Sequence, residues 1–292
     1  RRGVDAENLE QGGRLEIPKL LEPFRRSIEA TVRPCLSLAC RGAPGAVAGS
    51  RFGGVPLVPW GTAWPQSPKR PMVFLGQLNF GQLAGSAGAA LPLLPSAGVL
   101  GLFYDLEEQR WGFDPEDRAY WRLTFVPDAE QAVALMPPAS VREALSPHGL
   151  VATGAASLPS PGDGHQARFP VGFARYLRRS YASLHAGFQR RHLSASGSVH
   201  QVLGHPDWMD RDARAIAELA SAGVYCGDWS VGPAGNPEPV DAPGDWRLLW
   251  QIGADDAVGL HFGSGGMLYV LIRETDLRAR AFGRAWLIQQ CP

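Results

Sequence analysis

The sequence has no run of about 18 uncharged apolar residues, so it offers no transmembrane helix. It has no surplus of either charge. Its 28 Lys and Arg stand against 28 Asp and Glu, and no whole-molecule field draws the chain to nucleic acid or to an anionic membrane. Cysteine is scarce: Cys35, Cys40, Cys226 and Cys291 show none of the CxxC spacing of a zinc ribbon or a thioredoxin-type pair. Reduced thiols in a cytoplasm are the default reading. A Cys35–Cys40 disulfide is the secretory alternative, disfavoured because the alternation over Leu36, Leu38 and Cys40 reads as a strand. The opening Arg-Arg lacks a following apolar stretch and does not read as a signal peptide; with no initiator Met, a processed leader stays open. Phosphate loop, Gly-x-Ser-x-Gly elbow, Rossmann fingerprint, EF-hand and HExxH are all missing. No cofactor and no metal are expected.

What is present is material for a core. The chain is 45% hydrophobic over 292 residues, enough for one large domain or two ordinary ones. Its 35 Gly and 25 Pro are scattered among large apolar residues, which excludes collagen and disorder and predicts many turns between short strands. Residues 1–16 read as a polar arm. A helix is expected from Pro18, with Leu21, Phe24, Ile28 and Val32 on one face and Pro23 breaking its first turn. Strands are expected at 35–41, 72–80, 98–105, 109–113, 120–127, 246–253, 257–262, 266–273 and 286–289. Arg51 to Pro65 is too interrupted for regular pairing. Residues 136–170, rich in Pro, Gly, Ala and Ser, read as a linker or long surface loop with a boundary near 150. Helices follow near 171–192 and 208–222, the second stopped by Gly223.

Two stretches repeat one pattern. Phe74-Leu-Gly-Gln-Leu78 followed by Gly98 to Asp105 matches Leu248-Leu-Trp-Gln-Ile252 followed by Gly266 to Arg273. Leu75/Leu249, Gln77/Gln251, Gly98/Gly266 and Leu100/Leu268 are identical. The fold class read from this is mainly β (α+β), with duplicated antiparallel β-units, internal pseudo-two-fold symmetry and a few flanking helices. A first repeat over 17–150, with the N-terminal helix, packs with a second over 151–292 as one globular unit.

Gly53 to Pro65 holds two Gly, three Pro and two Trp in thirteen residues. Together with Phe74 to Asn79, Leu94-Pro95, Gly98 to Asp105, Leu203-Gly-His-Pro206, Leu249 to Ile252 and Gly266 to Ile272, it resembles the YwqG-like family of uncharacterised, mostly bacterial proteins. The resemblance implies a mainly β, duplicated fold and carries no settled activity or site residues. The chain departs from it at His261-Phe-Gly-Ser-Gly265, where a Trp and an acidic residue are expected, and matches it poorly over 136–200.

The candidate chemistry is thin, and each feature has a structural reading beside the functional one. Trp60 and Trp64 are either an aromatic binding platform or anchors of a rigid loop. Gln77 and Gln251, set amid apolar residues, read as buried bridges to backbone. Cys226, His205, His200 and Asp207, with Asp228, are the only set resembling a Cys nucleophile with base and orienting acid, and nothing in the sequence brings them together. Residues 173–192 hold five Arg and no acid, interleaved with aromatics. Arg175, Arg178 and Arg179 would face solvent opposite a buried stripe and suit an acidic protein partner better than nucleic acid.

The reading is therefore a cytoplasmic, non-enzymatic interaction protein that presents Trp and Arg to a protein partner, with neutralisation of a bacterial toxin as a concrete form. The rival is a small-molecule binder or hydrolase using the crevice between the two repeats.

Overall fold

A computed structural model describes residues 16–42, 46–87, 92–141, 144–161, 163, 175–190, 199–227 and 245–292. Strands dominate them. In chain order these are β1 (Arg33–Arg41), β2 (Arg51–Phe52), β3 (Leu57–Val58), β4 (Val73–Asn79), β5 (Val99–Tyr104), β6 (Trp121–Val126), β7 (Val133–Ala134), β8 (His148–Ser157), β9 (His200–Val202), β10 (Trp246–Gly253), β11 (Met267–Arg273) and β12 (Trp286–Gln290). The helices are α1 (Arg25–Glu29), α2 (Phe80–Ala87), α3 (Arg175–Arg190), α4 (Arg214–Ser221) and α5 (Glu274–Arg278). None of the described helices is long and apolar enough to cross a membrane.

Ten strands form one antiparallel sheet in the order β12-β11-β10-β9-β1-β8-β2-β4-β5-β6, and β3 pairs with β7 in a small second sheet. The long order curls until its ends meet. The Gln289 amide donates to Trp111 O, the Trp286 indole N–H donates to Gly112 O, and the Tyr104 hydroxyl donates to Gln289 Oε1. Trp121 and Trp286 then pack edge to face across the closure. Burying the inner face this way gives one large apolar core that includes Trp250, Phe52, Tyr269 and Leu249. A satellite core joins Ile17, Leu21 and Ile28 to Leu177, Tyr181 and Leu184 of α3 over Leu158.

The order reads alike from both ends. In β4 the ladder skips Leu75, and in β10 it skips Leu249, each a one-residue bulge. Beyond each bulge a Gln holds the neighbouring turn: Gln77 Oε1 accepts from Leu57 N and Gln251 Oε1 from Asp207 N. Those turns carry left-handed residues in matching places, Gly53 and Gly54 in one and Leu203 and Gly204 in the other. The amide of Phe80 donates to Gly98 O as that of Ala254 does to Gly266 O.

Several sequence expectations are corrected. Residues 136–170 are not simply a linker, since β8 lies within them, crosses position 150 and pairs along its length with β1 at the sheet centre. Residues 109–113 form no strand, because Gln109 and Gly112 take positive φ. Residues 257–262 keep one isolated bridge, Asp255 to Leu260, around Gly259. The first helix is a 3-10 segment, Lys19–Phe24 with Pro23 inside it, running into α1.

Candidate functional site

The structure separates the four residues of the expected nucleophilic set. Cys226 is buried with its thiol near the Ile216 and Val224 carbonyls, and burial pushes it further from thiolate. His205 spends its backbone N–H on Ser157 Oγ and points Nε2 at Thr31 O, 2.6 Å away. Asp207 lies 3.7 Å from Nε2 of His185 on α3. Asp228 lies outside the described residues.

His200 alone joins a cluster, with partners the sequence did not suggest. It sits on β9 opposite Leu38 of β1, so Cys40, two residues further along β1, shares its face. Asp255 enters from the turn after β10. The donor atoms of Cys40, His200 and Asp255 lie within 4.8 Å of one another, and sulfur, nitrogen and oxygen are the ligand types of a zinc site. The hydrogen bonds argue otherwise. Nδ1 accepts the Gly253 N–H at 3.2 Å, so the ring proton sits on Nε2 and is given to Asp255 at 3.1 Å. A metal on Nε2 would require an imidazole without either proton. Asp255 also accepts from Ala257 N and from the Cys40 thiol. Burial, then the charge and hydrogen bond of Asp255, push that thiol up to about 12. The group shown against the sulfur is the Asp255 carboxylate, whose charge disfavours the thiolate, so the trio ties three chain segments together without activating Cys40 as a nucleophile.

The two tryptophans part company. Trp64 is an anchor: its indole N–H donates to Met72 O at 2.8 Å and its ring packs edge to face on Phe103. Trp60, four residues earlier, is 86% exposed. On α3, Leu177, Tyr181 and Leu184 are buried while Arg178 and Arg179 are exposed; the side chain of Arg175 lies outside the description.

A concave feature lies where the sheet ends meet. A cleft of about 570 Å³ is lined by Arg110, Trp111, Phe113, Ile216, Tyr225 and Cys291, drawn from the β5–β6 connection, the α4 region and the end of β12. Gly112 permits its back wall. Its φ is +81°, and any Cβ there would overlap the Leu287 carbonyl oxygen. Gln290 fixes the opposite wall by accepting from Met209 N and donating to Arg211 O. Asp117, also at the cleft, accepts from Gly112 N, and burial raises its pKa. Trp111 is 47% and Tyr225 60% exposed, and the Arg110 guanidinium lies 4.7 Å over the Tyr120 ring. Sequence reasoning missed this cleft because its residues come from segments more than 60 positions apart and share no spacing.

The fold and cleft thus define a curled antiparallel β-sheet protein with a groove at its closure. Residues 50–291 match the family described as a domain of unknown function, DUF1963, and the chain belongs to that family. No curated protein matches the chain.

Proposed function

We propose that the protein is a non-enzymatic protein-interaction module that binds its partner at the closure cleft. The observation that carries this reading is the half-exposed Trp111 and Tyr225 beside Arg110, three residue types that dominate binding energy at protein interfaces, around an open groove. Support comes also from the one His–Cys–Asp cluster among the described residues, whose protons are committed internally. Neutralisation of a bacterial toxin in a cytoplasm is a concrete form of such a role, since it needs a rigid complementary surface and no chemistry. The matching bulges, Gln bridges and left-handed turns further support descent of the two β-units from one duplicated unit, as a YwqG-like relationship implies.

The cleft volume also falls in the range of small-molecule sites, which keeps the rival reading of a binder or hydrolase in the crevice. One experiment separates them. Wild type, Trp111→Ala/Tyr225→Ala and Trp60→Ala are used to capture proteins from native lysate under matched conditions. A partner lost only with the cleft variant is expected; equal recovery by all three overturns the reading. A metabolite set that raises the wild-type melting temperature, but not that of the cleft variant, points to the rival.

A further inference from the structure

Between Asp163 and Asp207 the sequence has six Arg and no carboxylate. Of the bounding acids, Asp163 pairs with Arg214 at 2.6 Å, and Asp207 is mostly buried 3.7 Å from His185 without forming an ion pair. Elsewhere Arg70, Arg110, Arg247, Arg273 and Arg284 each meet a Glu or Asp. Arg178, Arg179 and Arg190 have no such partner among the described residues. In a chain of balanced charge this is a local excess.

Helical geometry orders part of that excess into a strip. At about 100° per residue, Arg179, Ser183, Ala186 and Arg190 fall within about 60° of one another on α3, and all four are exposed. The Arg pair stands about 16 Å apart along the axis with only Ser and Ala between them. An extended segment of about five residues spans that distance at about 3.3 Å per residue. Of the aromatic residues of α3 whose side chains are described, Tyr181 and Phe188, neither shares the strip. Tyr181 is 1% exposed with its hydroxyl on Pro159 O, and Phe188 packs against the satellite core.

We propose that this strip is a docking surface for an acidic segment of a protein partner, lying along Ser183 and Ala186 with carboxylates at Arg179 and Arg190. Guanidinium forks match carboxylates in two parallel hydrogen bonds. Nucleic acid is the poorer fit because neither Tyr181 nor Phe188, the aromatic residues of α3 with described side chains, is left outward for bases to stack on. A membrane is a poorer fit because the apolar face of α3 is already covered.

The test is fluorescence anisotropy of a labelled peptide with six consecutive Glu, and of a labelled single-stranded oligonucleotide of equal charge, at low and high salt. Wild type is expected to bind the peptide, with affinity falling steeply as salt rises. Arg179→Glu/Arg190→Glu is expected to bind roughly tenfold or more weakly with an unchanged melt. Ser183→Glu, which leaves both Arg in place, is expected to weaken binding as well and serves if the double variant folds poorly. Equal peptide binding by wild type and the Glu variants overturns the proposal. So does tighter binding of the oligonucleotide that is lost in the same variants. Trp111→Ala/Tyr225→Ala is expected to bind the peptide as wild type does, so failure of the cleft reading leaves this one standing.

Discussion

Asp207 and His185 face each other at 3.7 Å, yet they are not an ion pair. Burial holds Asp207 up at about 6 and pushes His185 down to about 4, so both prefer to be neutral between those values. The raised carboxyl contributes stability that is complete below its unfolded value of 3.8 and is lost as pH rises through about 6. The depressed imidazole contributes stability that is complete above 6.5 and is lost as pH falls through about 4. Over pH 4 to 6.5 the two slopes oppose, and the pair leaves little net pH dependence. Relative to wild type, His185→Gln should lose stability as pH rises across that window, and Asp207→Asn should gain it. Denaturant midpoints at pH 4, 5, 6 and 7 decide; parallel curves for all three proteins would show that the two groups do not titrate as described.

At the scale of elements, Gln77 and Gln251 fasten β4 and β10 to the turns beside them. Gln77 serves Leu57 N, Val47 O and Gly49 O; Gln251 serves Asp207 N. Replacing either by Leu leaves buried backbone groups without their partner and should cost about 1 to 3 kcal/mol, read from denaturant melts. An unchanged midpoint in both variants would place these side chains outside the core network. Both were legible in the sequence as amides inside apolar strands, and so were β4, β5, β6, β10, β11 and β12, whose own side chains fill the core. Strand β8 was hidden because His148 to Ser157 is built of Gly, Ala, Thr and Ser with few large residues; its central place comes from pairing with β1. Strands β2 and β9, two and three residues long, are too short to show a period. For the same reason His200 could be singled out but not Cys40 or Asp255, which reach it only through strand pairing.

For the molecule as a whole, closure of the sheet depends on Gly112. Gly112→Ala combines left-handed backbone strain with a clash at Leu287 O, and it disturbs the bonds from Gln289 N and Trp286 Nε1. The expected cost is about 2 to 4 kcal/mol, from strain plus lost hydrogen bonds. Gly61→Ala has a similar φ, +79°, but open space around it, and should cost only about 1 kcal/mol. Thermal melts of the two variants make the comparison, and equal losses would mean that closure at Gly112 adds nothing beyond backbone strain.

The place of β1 bears on how the chain is made. Strand β1 ends at Arg41, yet its neighbours are β8, which begins at His148, and β9, which begins at His200. On a ribosome adding about 5 to 20 residues per second, both edges of β1 stay unsatisfied for at least about 5 to 20 seconds after it is synthesised. During that interval the backbone N–H and C=O groups of β1 lack their ladder partners, and Leu36 and Leu38, fully buried in the finished protein, lie uncovered on one face of the strand. The centre of the folded sheet is thus completed only once the chain has been made past His200.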